Sequence, residues 1–211
     1  MGCLGDRIFK QTYVVVDIET TGLSRDIHKI TEIAAHKLKG ARFIDTYTTL
    51  VNPECRIPRF ITRLTGIDDR MVKDAPIIKK VIPDFREFLG NNTFVAHNAW
   101  FDYGFLDVAF RKNAHTFLTN DVICTCRLAR KLLPDLPRKN LPTICEHFNL
   151  ENTRAHRASE DALVTSKIFT NFLNILSDNG IKEYKDLLLF QSGKLGRKNA
   201  SAGTFTPKIN F

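Results

Sequence analysis

Asp17-Ile18-Glu19 closes the apolar run Tyr13-Val14-Val15-Val16. Two acids separated by one residue on a strand share a face and lie about 7 Å apart along it. Carboxylates held so close repel, which raises the pKa of one of them unless a divalent cation relieves the site. The pattern Asp-x-Glu is common, and two solvated acids at a strand end satisfy it equally. A second group is Phe94-Val95-Ala96-His97-Asn98-Ala99-Trp100-Phe101-Asp102, an apolar strand ending in polar His97-Asn98 with an acid in the first turn of the following helix. An acid there also complements the helix dipole, which is its plainest role. The third group is His156-Arg157-Ala158-Ser159-Glu160-Asp161. His156 and Asp161 do not stack on one helix face, so His156 is expected to hang from the loop ahead of the helix. An N-cap partner and a first-turn acid are the ordinary readings of that pair.

These groups need elements to hold them. Tyr13 to Val16 reads as a buried strand that breaks at Thr20-Thr21-Gly22. Ile30 to Leu38 and Phe43 to Val51 read as two more strands, joined through Lys39-Gly40-Ala41-Arg42 as a tight hairpin. Residues 52–58 carry Pro53 and Pro58 and are expected to be irregular. Residues 59–88 turn helical, with Val81, Phe85, Phe88 and Leu89 at helical spacing. Phe94 to Ala96 and Val122 to Cys124 are short strands, with a helix from Trp100 to Phe110 between them. Helices follow at 125–132, 141–148 and 158–176, with Pro142 near the start of the middle one. The order β-β-β-α-β-α-β-α-α implies an α/β domain, a mixed sheet with a hairpin at one edge and helices packed on it.

The chain has 211 residues, and 31 Lys+Arg against 23 Asp+Glu give a formal charge of +8. That length suits one domain with a full core, and 43% hydrophobic with 26% charged residues excludes a disordered chain. No apolar run has membrane-spanning length, the N-terminus lacks a secretory core, and five irregularly spaced cysteines argue against a disulfide framework. These features point to a reduced, cytoplasmic setting. Cys124-x-Cys126 lacks the spacing and the partners of a zinc site. Gln191-Ser192-Gly193-Lys194-Leu195 is faintly like a sliding-clamp peptide but lacks its aromatic end. Residues 177–211 carry six Lys/Arg against three Asp/Glu and read as a helix at 181–190 followed by a flexible basic tail.

Taken together, V-V-D-I-E-T-T-G-L at 15–23, L-T-G-I at 64–67, V-A-H-N-A-W-F-D at 95–102, L-P-T-I-C-E-H-F-N-L at 141–150 and H-R-A-S-E-D-A at 156–162 resemble the DEDDh (DnaQ-like) family of 3′→5′ exonucleases. This ribonuclease H-like group includes the proofreading epsilon subunit of bacterial DNA polymerase III. The resemblance covers residues 12–176, with 1–11 and 177–211 outside it, and implies a central five-stranded mixed sheet flanked by helices.

By that resemblance Asp17, Glu19, Asp102 and Asp161 are the metal-binding acids of a two-ion Mg²⁺ or Mn²⁺ site, and His156 is the general base. Asp17 is the expected bridging ligand. An all-oxygen donor set suits these cations better than zinc, and an unperturbed imidazole accepts a proton near neutrality. Thr20, Thr21, Gly22 and Leu23 correspond to the clamp on the 3′-terminal nucleotide, and Phe101 to the aromatic beside its sugar or base. Thr65 stands where several proofreading subunits carry a histidine, and Asn98 lies within reach of the scissile region. The implied reaction releases nucleoside 5′-monophosphates from 3′ ends, single-stranded DNA first, with a DNA polymerase as a further partner. An exoribonuclease of the same fold is the second reading, and a catalytically idle nucleic-acid-binding or polymerase-tethering module the third. The basic residues at 56–80 and 127–139 divide between solvated faces and sequence-independent phosphate contacts.

Overall fold

The protein is described by a computed structural model that covers residues 7–152 and 156–195. Its five strands are β1 (Thr12–Thr20), β2 (Ile30–Lys39), β3 (Arg42–Leu50), β4 (Thr93–Ala96) and β5 (Val122–Cys124), in the sheet order β3-β2-β1-β4-β5. β1 pairs antiparallel with β2 and β2 with β3, whereas β1–β4 and β4–β5 are parallel. This is the mixed ribonuclease H-like sheet with its hairpin edge.

β1 is central because both of its faces are apolar, as a strand covered on two sides requires. Tyr13 and Val15 face α5 (Thr125–Leu132), α6 (Leu141–His147), α7 (Ala158–Asp178) and α8 (Tyr184–Ser192) in one core. Val14 and Val16 face α3 (Ile78–Leu89) and α4 (Trp100–Ala114) in the other. The result is a three-layer sandwich with the sheet between two sets of helices.

The stretch 59–88 departs from a single helical reading. It forms α1 (Arg59–Thr65), α2 (Asp69–Val72) and α3, because Gly66 ends α1 at φ 74° and Asp68 caps α2 by accepting from the Met71 N–H. The last helix begins at Tyr184, not 181, and buries Leu187 and Phe190 in the same core as Ile8. Gln191 binds the open edge of β5, its Nε2 donating to Val122 O (2.6 Å) and its Oε1 accepting from Cys124 N (3.1 Å). The segment with a sliding-clamp flavour therefore begins with a residue spent on the sheet. The tail at 196–211, part of the N-terminal extension and residues 153–155 lie outside the described residues. The four described cysteines are free thiols. No helix among the described residues is long and apolar enough to cross a membrane.

Candidate active site

Asp17 and Glu19 continue the Tyr13/Val15 face of β1, so both acids project toward α7 and not toward α4. At the same point the β1–β2 register shifts between Glu19 and Thr20, with Glu19 opposite Glu32 and Thr20 opposite Ile30. Such a bulge bends the strand and re-aims its side chains, a device common beside active sites. One oxygen from each of Asp17, Glu19 and Asp161 lies within 4.8 Å of the other two.

Asp161 is delivered by the first turn of α7, and that turn is fixed from outside the helix. Arg157, the N-cap residue, makes no side-chain capping bond. Its place is taken by Glu32 of β2, whose Oε2 accepts from the Ala158 N–H at 3.0 Å. The Arg157 guanidinium binds the same carboxylate in bidentate fashion, at 2.8 and 3.1 Å. A fully buried carboxylate thus receives three donors at a helix N-terminus, where the dipole also favours an anion. Ala34 of β2 packs against Ala158 and Ala162, and these small side chains let the helix approach the sheet closely.

The loop ahead of α7 is tied to Asp161. Its Oδ2 accepts from the His156 N–H (3.0 Å) and its Oδ1 from Asn152 Nδ2 (2.7 Å). His156 is exposed and holds φ at 65°, a left-handed conformation that L residues adopt at a cost. His156 therefore lies in the loop ahead of α7, with its backbone N–H tied to Asp161.

Asp102 arrives from the opposite layer. β4 ends at Ala96, Asn98 turns the chain with φ 62°, and α4 starts at Trp100. Asp102, fully buried one turn in, reaches around the strand end, where its Oδ1 accepts from the Ile18 N–H at 3.1 Å. It lies beside the trio of close carboxylates without being one of them. All four acids nonetheless meet at the carboxyl end of β1, the usual ligand-binding end of an α/β sheet.

The electrostatics record the crowding. Burial, then the charges of Asp102, Asp161, Glu19 and Glu32, push the Asp17 carboxyl well above the ordinary range. Glu19 is pushed up to about 8, by burial first and then by Asp161, Glu32 and Asp102, with Arg157 opposing. Burial raises Asp102 to about 8, against the pull of its two backbone N–H donors. The three oxygen donors that share one small volume, from Asp17, Glu19 and Asp161, form a set that fits hard divalent cations. In contrast, His97 is lowered to about 4 by burial, and its Nδ1 pairs with Thr125 Oγ1 at 2.9 Å. It serves the strand end as a neutral ring.

The nucleotide-clamp residues fall into two groups. Thr20 and Thr21 are buried, with Thr20 Oγ1 donating to Gly22 O (2.6 Å) and Thr21 Oγ1 accepting from Lys29 N (3.0 Å). A Cβ on Gly22 would come within 2.4 Å of the His28 ring, so a larger residue there would have to displace that ring. Leu23 emerges from it 84% exposed. Phe101 is half-buried against Phe105, and Asn98 is exposed. Thr65 is not brought to the surface. Its hydroxyl donates to Ile61 O and accepts from Ile67 N, which closes the end of α1. Glu32, Arg157 and Asn152 were not singled out from sequence. A lone acid inside the apolar strand Ile30-Thr31-Glu32-Ile33-Ala34-Ala35 was the available signal for the first of them.

A metal-competent acid cluster on a ribonuclease H-like sheet defines a class of phosphodiester-cleaving proteins, and comparison narrows it. Residues 14–169 match the family RNase_T, described as Exonuclease. The chain belongs to the RNase T exonuclease family. It is similar to the DNA polymerase III PolC-type of Caldanaerobacter subterraneus subsp. tengcongensis, 45% identical over 175 residues, which are 83% of this chain and 12% of the relative. The DNA polymerase III PolC-type of Bacillus subtilis (strain 168) is 41% identical over 192 residues, 90% of this chain and 13% of that one. The chain therefore spans about one-eighth of the length of these relatives. Among solved structures, Exonuclease X in complex with 5′ overhanging duplex DNA matches with a TM-score of 0.64 and 26% identity, covering 83% of this chain and 99% of that one. E. coli Exonuclease I in complex with a dT13 oligonucleotide shares the fold, with a TM-score of 0.71 at 16% identity over 80% of this chain and 42% of that one.

Proposed function

We propose that the chain is a DEDDh-type 3′→5′ exonuclease that removes nucleoside 5′-monophosphates from the 3′ ends of single-stranded or mismatched DNA. The observation that carries this reading is the convergence of Asp17, Glu19 and Asp161 within 4.8 Å at the end of β1, in a chain of the RNase T exonuclease family. Asp17, Glu19, Asp102 and Asp161 would hold two Mg²⁺ or Mn²⁺ ions. Bound there, such ions neutralise phosphate charge and ease the ionisation of water.

The remaining work falls to the chain's own side chains. His156, exposed at the head of α7, takes the proton of the attacking water. Its backbone bond to Asp161 ties the position of the base to that of an acid. The turn 20–23 grips the terminal nucleotide through its backbone, with Leu23 projecting against the base. Phe101 flanks the sugar. Isolating one terminal nucleotide in this way favours a single-stranded or frayed end. The similarity to DNA polymerase III PolC-type proteins supports a place beside a replicative polymerase, in a cytoplasmic setting.

The test is parallel degradation of 5′-labelled single-stranded DNA, mismatched duplex DNA and RNA, with Mg²⁺ and with EDTA. Stepwise shortening of DNA from the 3′ end, abolished by EDTA, is the expected result. Preferential shortening of RNA would make the protein an exoribonuclease. Binding without cleavage would make it an idle module, and cleavage surviving EDTA would overturn the two-ion reading.

A further inference from the structure

Trp100 is the chain's single tryptophan and the first residue of α4, two positions ahead of Asp102. It is 51% exposed and belongs to neither of the cores that flank the sheet. The Arg127 guanidinium, from α5, stands 5.3 Å from the indole centroid, and the Tyr103 ring meets it edge-on at 6.3 Å. The indole opens onto a groove of ≈260 Å³ lined also by Leu23, Arg25, Phe101 and Phe105. Arg25 is seated there by a close approach to α4: a Cβ on Gly104 would fall 2.4 Å from its Nη1. Asp26 is the lone acid on the groove wall.

We propose that Trp100, backed by Arg127, is a stacking platform for the nucleobase that precedes the 3′-terminal nucleotide, and that Arg25 and Arg127 take the adjoining phosphates. This rests on the exonuclease reading and extends it from the terminal nucleotide to the strand behind it. Three features favour a nucleic-acid strand as the occupant of this groove. A half-exposed indole offers the flat π-surface on which any base stacks, worth about 10-fold in affinity per base. One guanidinium on the groove wall, Arg25, and a second over the indole, Arg127, complement a phosphodiester backbone without reading sequence. The groove also shares Leu23 and Phe101 with the expected clamp, so a strand leaving the acids runs directly onto it.

Because Trp100 is the only tryptophan among the 211 residues, the chain carries its own probe. Titration with tetrathymidylate in EDTA should quench tryptophan emission, and thymidine 5′-monophosphate should do so only at about 10-fold higher concentration. With Mg²⁺, Trp100→Ala should raise KM for tetrathymidylate about 10-fold more than KM for the p-nitrophenyl ester of thymidine 5′-monophosphate, which has no preceding base. Trp100→Phe, which keeps a stacking ring, should recover most of that ratio. Emission indifferent to tetrathymidylate, or an unchanged KM ratio in Trp100→Ala, overturns the platform and leaves the patch to a protein contact. A wild-type chain that cuts neither substrate overturns the exonuclease reading instead, and the fluorescence titration still decides the platform.

Discussion

Glu32 of β2 and Arg157 at the head of α7 are 125 positions apart in sequence and form a bidentate ion pair directly beside Glu19. The pair joins the sheet that carries two of the acids to the helix that carries a third. Glu32 is 1% exposed at its side chain and Arg157 27%, so removing the cation leaves a buried charge with one backbone donor. Such a loss costs about 3 kcal/mol. Arg157→Ala should lower the urea midpoint accordingly and, at temperatures where it stays folded, depress kcat by displacing His156 and Asp161. Full turnover with unaltered stability would dissociate the pair from the site.

The acid cluster makes the metal-free protein sensitive to base. Glu19 and Asp102 have folded-state pKa values of about 8, above their ordinary carboxyl values, so the folded state binds more protons than the unfolded chain across the interval between. Stability is therefore full below pH ~4 as far as these groups are concerned, and falls as pH rises toward ~8. Thermal melts in EDTA should show this decline from pH 5 to 8, and Mg²⁺ or Mn²⁺ should reverse it at pH 8. A flat profile with no effect of cation would count against four crowded acids.

Neutralising one of those acids should separate stability from function. Asp17→Asn removes the most crowded charge without changing shape. In EDTA at pH 8 it should raise the melting temperature by about 2–4 °C, equivalent to ~1 kcal/mol. The same change should abolish Mn²⁺ binding measured by calorimetry and nearly all turnover. A variant that cuts DNA at near-normal rates would remove Asp17 from the mechanism.

His156 is exposed, and its ring is expected to contribute chemistry and not packing. His156→Ala should reduce kcat by about 10²–10⁴ while leaving the melting temperature and Mn²⁺ affinity close to wild type. Its backbone N–H to Asp161 survives the substitution. A variant that loses stability instead of turnover would show that the residue serves the head of α7.

Much of this architecture is legible in the chain itself, because local rules generate it. Alternation along β1 places Asp17 and Glu19 on one face, and the apolar run before them marks the covered central strand. The breaks at Thr20-Thr21-Gly22 and His97-Asn98 mark strand ends. The limits appear where a residue's role depends on what lies across space. The stretch from 59 reads as continuous helix although Gly66 and Asp68 divide it, since periodicity survives a short turn. Thr65 occupies a motif position, yet its hydroxyl closes α1, a fact set by the path of one helix turn. Glu32 is one acid in a strand until α7 docks and gives it Arg157 and an open N–H. Only the tertiary structure decides that, because a buried charge takes its meaning from its partners, and those partners are brought together by packing over more than a hundred residues.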